Sequence, residues 1–253
     1  PNYNGSARTY VAWQWKTQGG AGSSNTAGSI NTTTTSVNTT AGFSISTFEG
    51  TGANGTVGHG LSQAPDFILG KNRTDATNWK GFHVALGGTK NIILDSTGAV
   101  ATSSANWNDT DPTATVVSVG TSNGINGLAD DVVLYCWHSV EGYSKFGSYI
   151  GNGSADGAYI NVGFRPSWIM CKSVDSTSDW FIFDSKRLGY NVDNNSLFIN
   201  DQGSELTADN IDILSNGFKM RVATDPNVAE TYIYMAFAEH PFGGEDVAPA
   251  TAR

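Results

Sequence analysis

The sequence predicts an all-β fold: two tandem, homologous antiparallel β-sandwich units preceded by an orphan strand. Three observations predict it. The 253-residue chain carries one closing motif twice, and the end of that motif a third time. Asp131-Val132-Val133-Leu134-Tyr135-Cys136-Trp137 aligns with Thr231-Tyr232-Ile233-Tyr234-Met235-Ala236-Phe237, and Thr9–Trp15 is the third copy. Apolar and polar residues alternate in short runs between Gly, Asn, Asp and Pro, and no long stretch has apolar residues at helical spacing with a cap. Self-similarity at a period of about 100 residues marks domain-sized units, not a solenoid.

Thr9–Trp15 comes first, before any unit has been built, and reads as the last strand of a repeat whose front part is absent. Such a start suggests a segment of a modular, assembled protein. Residues 1–41 are therefore the orphan strand plus a Gly, Ser, Thr and Asn stretch. Composition makes residues 17–41 a flexible linker. The spacing of Ile30 and Val37 equally allows one polar edge strand turning at Asn38–Gly42 into Phe43.

Unit one spans residues 42–140, with strands expected at Phe43–Phe48, Phe67–Lys71, Trp79–Val84, Ile92–Leu94, Thr115–Val119 and Val132–Trp137. In the first of these Phe43, Ile45 and Thr47 share one face. Unit two spans 141–242, with strands at Tyr143–Tyr149, Tyr159–Val162, Trp168–Lys172, Trp180–Asp184, Ser196–Ile199, Asp209–Leu214, Gly217–Val222 and Thr231–Ala238. The closing strands are bulky on both faces, which places them centrally in their sheets. Pro65 and Pro166 precede strands, where a missing N–H matters least. Residues 243–253 lack strand patterning and read as an irregular tail.

Composition excludes several function classes. With a net charge of −9 and no basic cluster, the chain is no phosphate-backbone binder, so no nucleic acid is expected. No apolar run reaches the roughly 20 residues of a membrane-spanning helix, so no membrane insertion is expected. Acidity of this size keeps a secreted or particle-borne protein soluble. Cys136 and Cys171 lie in strand-like runs of different units; the pair allows a disulfide but reads rather as two buried free thiols.

Chemistry-bearing motifs are sparse. His59, His83, His138 and His240 have no metal-ligand spacing. Asp109-Thr110-Asp111 and Asp130-Asp131 do not extend into a calcium loop and read as solvated turns. Gly50-Thr51-Gly52 and Gly151-Asn152-Gly153 have no following helix and read as tight turns, not phosphate loops. No nucleophile elbow, P-loop or dinucleotide fingerprint is present. No catalytic residue, cofactor or metal is assigned. Trp79 and Trp180 fall at equivalent positions and read as shared core. Trp107, in a polar loop without a repeat counterpart, is the candidate for stacking on a glycan. Tyr10, Val11, Trp13 and Trp15 of the orphan strand are the candidate assembly residues, because an exposed aromatic strand invites pairing with another chain.

Several strings resemble a known family. They are Lys145-Phe146-Gly147-Ser148-Tyr149-Ile150-Gly151-Asn152-Gly153-Ser154-Ala155-Asp156-Gly157, Gly163-Phe164-Arg165-Pro166, Ser215-Asn216-Gly217-Phe218-Lys219 and Tyr232-Ile233-Tyr234-Met235-Ala236-Phe237-Ala238-Glu239. Tyr10-Val11-Ala12-Trp13-Gln14-Trp15-Lys16 followed by Thr39-Thr40-Ala41-Gly42-Phe43-Ser44-Ile45 belongs with them. Together they resemble the tail-fibre and virion-appendage repeats of tailed, marine-type bacteriophages, which often follow a lectin-like sandwich. The resemblance implies a non-enzymatic structural subunit in a virion or extracellular setting. Its implied partners are copies of itself, as a trimer or head-to-tail polymer, other virion proteins and a host surface glycan. A carbohydrate-binding module, and an extracellular filament or capsid-decoration subunit, are the alternatives.

Overall fold

A computed structural model describes residues 5–7, 9–187, 191, 195–208 and 210–240. The expected tail at 243–253 lies outside the described residues. The chain is nearly all β, in antiparallel sheets. In order, the strands of the first half are β1 (Thr34–Asn38), β2 (Phe43–Glu49), β3 (Gly55–Gly58), β4 (Phe67–Asn72), β5 (Lys80–His83), β6 (Lys90–Ile93), β7 (Ala101–Thr102), β8 (Val116–Val119) and β9 (Asp131–Trp137). The second half has β10 (Ser144–Ile150), β11 (Tyr159–Asn161), β12 (Pro166–Ser173), β13 (Phe181–Asp184), β14 (Leu197–Phe198), β15 (Ile211–Leu214), β16 (Gly217–Met220) and β17 (Thr231–Ala238). Two one-turn helices, α1 (Ser104–Trp107) and α2 (Asn123–Asn126), interrupt the first half. The sequence reading had no helix there, and four residues are too few to display a helical period.

A seven-stranded sheet has the order β1-β2-β9-β4-β5-β6-β7, and a five-stranded sheet the order β10-β17-β12-β13-β14. The run β2-β9-β4-β5 and the run β10-β17-β12-β13 thus share one order. A two-stranded sheet, β3-β8, and a three-stranded sheet, β11-β16-β15, complete the halves. Three cores result. Val132, Leu134 and Cys136 of β9 pack with Val57, Val117 and Val119 of the two-stranded sheet. Tyr232, Tyr234 and Ala236 of β17 pack with Ile160, Ile213 and Phe218 of the three-stranded sheet. The opposite faces meet in a third core, where Phe43, Phe67 and Trp137 join Trp168, Met170, Met235 and Phe237. This explains why β9 and β17 are apolar on both faces: each sheet is covered on both sides by its own chain.

The 17–41 stretch resolves in favour of the edge strand. β1 pairs with β2, Ser23 bridges Thr35, and Ile30 bridges Val57 and is buried. So polar a strand can be buried because its hydroxyls satisfy one another. Thr32 and Thr35 oxygens lie 3.0 Å apart, Thr35 and Ser46 oxygens 3.0 Å apart, and Ser46 Oγ donates to Gly58 O at 3.1 Å.

The two Gly-x-Gly turns are tight turns, each pinned by a wholly buried asparagine. Asn126 Oδ1 accepts from Thr51 N at 2.8 Å, and its Nδ2 donates to Ala53 O and Gly120 O, both at 2.7 Å. Asn227 repeats this, accepting from Asn152 N at 3.2 Å and donating to Ser154 O at 2.8 Å and Val222 O at 2.7 Å. The turns approach so closely that a Cβ on Gly50 would lie 2.1 Å from Gly127 O, and one on Gly151 2.0 Å from Val228 O. Asn126→Ala strips three hydrogen bonds, of which the one to Gly120 O is buried while those to Thr51 and Ala53 lie at the exposed turn. It is expected to lower stability by about 2 kcal/mol in urea titration, since an orphaned buried group costs on the order of 1–3 kcal/mol.

The orphan strand requires a correction. Residues 9–15 form no strand and pair in no ladder among the described residues. Trp13 and Trp15 face inward while Gln14 faces solvent, and the two rings cap the third core. Trp15 meets Trp137 of β9 at 6.2 Å and, from the other half, Trp168 and Phe237 at 5.4 Å each. The aromatic alternation that reads as a strand is a strap over the seam between the large sheets.

Candidate functional site

Beside that strap the inward face of the seven-stranded sheet is left partly uncovered. Phe43 and Ile45 of β2, Leu69 of β4, and Tyr135 and Trp137 of β9 line its floor. These residues share one face because side chains alternate along each strand. Trp15, Trp79, Leu94, Asp95 and Ile199 form the walls of a cleft of about 460 Å³. A narrower apolar cavity of about 130 Å³ continues beneath Trp13 and Trp15 towards Trp168 and Met235.

Stacked rings run across the floor, Phe43 to Trp137 at 4.8 Å and Trp137 to Tyr135 at 6.2 Å, and Trp79 of the wall lies tilted to Tyr135 at 6.0 Å. Asp95 is the single charged residue of the lining, and its Oδ1 accepts from Trp79 N at 3.0 Å. The indole nitrogens of Trp137 and Trp168 are buried with no hydrogen-bond partner among the described residues. A buried N–H without an acceptor is uncommon enough to need a reason. A mostly apolar cleft of this size, with few polar groups, has the character of a small-molecule or side-chain site.

Trp79 and Trp180 do occupy equivalent places. Trp79 O accepts from Leu94 N at 3.2 Å, and Trp180 O accepts from Ile199 N at 3.2 Å. Their surroundings differ. Trp180 is 1% exposed in the third core, and its Nε1 donates to Ile93 O of the other half at 2.9 Å. Trp79 is half-buried at the cleft wall. The difference is invisible in the two local sequences, because it arises where one sheet outreaches the other.

Trp107 is not a glycan platform. It ends α1, is 1% exposed, lies edge-on to Phe82 at 6.1 Å and donates from Nε1 to Gly81 O at 3.3 Å. Its polar neighbours disguise a core residue. Of the four assembly candidates, Trp13 and Trp15 are engaged within their own chain, while Tyr10 and Val11 are exposed.

The titratable groups serve the fold. His83 is buried; its Nδ1 accepts from Ala85 N at 3.1 Å, so Nε2 carries the proton and donates to Tyr234 O of the other half at 3.2 Å. Burial pulls its pKa down to about 4, against smaller opposing contributions from that carbonyl and Asp66. His59 has the same arrangement between Leu61 N at 3.2 Å and Thr113 O at 3.1 Å. Burial brings it to about 4 as well, with nearby His138 adding to the fall. Cys136 and Cys171 are free and buried, as expected, and burial pushes both thiols up to about 12. Lys172 is fully buried; its ammonium, lowered by burial to about 8, donates to Ser173 O at 2.7 Å. Asp111 accepts from Gly88 N at 2.6 Å and Asp130 from Asn72 Nδ2 at 2.7 Å, so both acidic loops are tied into turns. Among the described residues no group of three or more His, Cys, Asp or Glu side chains is placed to hold a metal ion.

Residues 1–241 match the model of a family described as a domain of unknown function (DUF7483), and the chain belongs to that family. No curated protein and no solved structure matches the chain.

Proposed function

We propose that this member of the DUF7483 family is a non-enzymatic structural subunit of a bacteriophage virion appendage, a tail fibre or similar part. In this reading it is built from two homologous β-sandwich units in tandem, and its partners are further copies of itself, other virion proteins and a host receptor. One observation carries the proposal: the shared strand order β2-β9-β4-β5 and β10-β17-β12-β13, with β9 and β17 holding the aligned closing motifs. The buried asparagines that pin equivalent turns support the same pairing. Repetition of one unit fits an extended, load-carrying part, and the resemblance of the sequence to appendage repeats points to the particle. Antibodies raised against the chain should decorate an appendage on tailed particles from the producing culture in electron micrographs. Particles that stay unlabelled while the free protein is bound would sink the virion reading.

A carbohydrate-binding module is the second reading, favoured by the aromatic cleft. A pyranose offers a flat apolar face for rings such as Trp79 and Tyr135, and hydroxyls that can donate to Asp95 of the lining. An array of cell-surface glycans should then show binding that Trp79→Ala weakens about tenfold, roughly 1.4 kcal/mol. Binding to no glycan, or binding indifferent to Trp79, removes this reading.

A further inference from the structure

The two halves differ in one place that matters for association. In an antiparallel pair, successive residues point their N–H and C=O groups alternately to one neighbour and to the other. Tyr143 O accepts from Ala238 N, and Gly151 N donates to Glu230 O. The odd-numbered residues of β10 therefore bond to β17, and Ser144, Phe146, Ser148 and Ile150 present their backbone groups to the outer edge. The corresponding residues of β2 are Phe43, Ile45, Thr47 and Glu49, and the first three of them are covered. β1 lies along that edge, with Thr34 opposite Thr47 and Ser36 opposite Ile45.

Among the described residues β10 has no such cover. β9 ends at Trp137 and β10 begins at Ser144, so the connection is too short to supply an edge strand. That connection reaches only the start of β10: Ser144 N donates to Val140 O at 2.9 Å, and Phe146 N to Ser139 Oγ at 3.3 Å. The N–H and C=O groups of Ser148 and Ile150 are left facing outward. Natural sheets protect such edges with charged side chains, proline, a bulge or a very short strand. Past Lys145, β10 has none of these. It is seven residues long, pairs with β17 in unbroken register and carries a single charge, Lys145. Ile150, on the open part, is 73% exposed.

We propose that the outer edge of β10 is a strand-addition site, and that its occupant is β10 of a second copy, antiparallel about a twofold axis. The strand is self-complementary in that arrangement. With Ser148 facing the partner's Ser148, these two residues exchange both backbone hydrogen bonds. Ile150 N then reaches Phe146 O across the axis, and the same bond is made symmetrically, giving four in all. Ile150 comes to lie beside the phenyl ring of Phe146 across the seam, which covers the exposed apolar side chain. The single charge, Lys145, stands away from its own symmetry mate, so no like-charge pair opposes the contact. The two five-stranded sheets become one continuous sheet of ten strands. A twofold contact of this kind closes on itself at the dimer. The proposal rests on strand geometry and not on the virion reading.

Light scattering across a range of concentrations should give twice the chain mass. Hydrogen exchange should slow at the Ser148 and Ile150 amides as the dimer forms. Ser148→Pro removes an outward N–H that β17 does not use, so it should yield a folded monomer. Ser148→Cys should cross-link into a covalent dimer on mild oxidation, since the two native thiols are buried. This variant keeps the test decisive if the proline variant fails to fold. A monomer at all concentrations overturns the proposal, as does a trimer or an open polymer. Protection of Ser148 and Ile150 that persists in a monomer also overturns it, because a segment of the same chain then covers the edge. None of these outcomes bears on whether the chain is found on particles.

Discussion

Lowering the pH from 7 to 4 is expected to remove several kcal/mol of folding stability, with His83 and His59 responsible for most of the steep part. Both have folded pKa values of about 4, below the ordinary histidine value of 6.5. The native state therefore holds fewer protons than the unfolded chain between those limits. The stability is fully present above pH 6.5 and is lost as the pH falls towards 4. Each histidine contributes about 3 kcal/mol over that window, at about 1.36 kcal/mol per pH unit. The structural cause is plain for His83: its Nδ1 already accepts from Ala85 N, so a second ring proton would point N–H at N–H inside a buried seam. Urea unfolding at a series of pH values measures the slope. His83→Gln keeps an N–H donor for Tyr234 O and should roughly halve that slope, whatever it costs at pH 7. An unchanged slope would clear His83 of the role.

Trp180→Ala should cost about 4 kcal/mol, near the upper end for buried aromatic truncations. It also orphans Ile93 O, which accepts the indole N–H. Trp107→Ala should cost a similar amount, but Trp107 packs within the first half, against Phe82. The pair of variants tests whether the third core ties the halves into one cooperative unit. If it does, both variants lower the midpoint of a single unfolding transition and leave its steepness unchanged. Two resolved transitions, with Trp107→Ala moving one and Trp180→Ala the other, would mean that the halves unfold separately and the shared core contributes little.

Much of the fold was legible in the sequence because strand signals are local. The repeat motif located β9 and β17 in register, and alternation over 43–48 assigned the faces of β2 correctly. The apolar character of both faces of β9 and β17 placed them inside their sheets, and each does lie between two strands. β3 and β7 went unread because Gly55–Gly58 and Ala101–Thr102 have too few large side chains to show a period. The candidate site was less legible. Trp107 sits among Asn, Asp and Thr, yet its backbone turns the ring into a core. Trp79 looks like Trp180 in sequence, yet one lines a cleft and the other fills a seam.

The sequence by itself determined that the chain is nearly all β, where its main strands lie, and that its two long closing strands must be covered on both sides. Those properties follow from side-chain order along the backbone, which no distant contact changes. Only the tertiary structure decided what does the covering. An apolar face is satisfied by any apolar face of matching shape, because the hydrophobic effect has no direction. The same aromatic residues that invite another chain when read in order can instead be buried by their own. Trp13 and Trp15 close over Trp137 and Trp168 in this way.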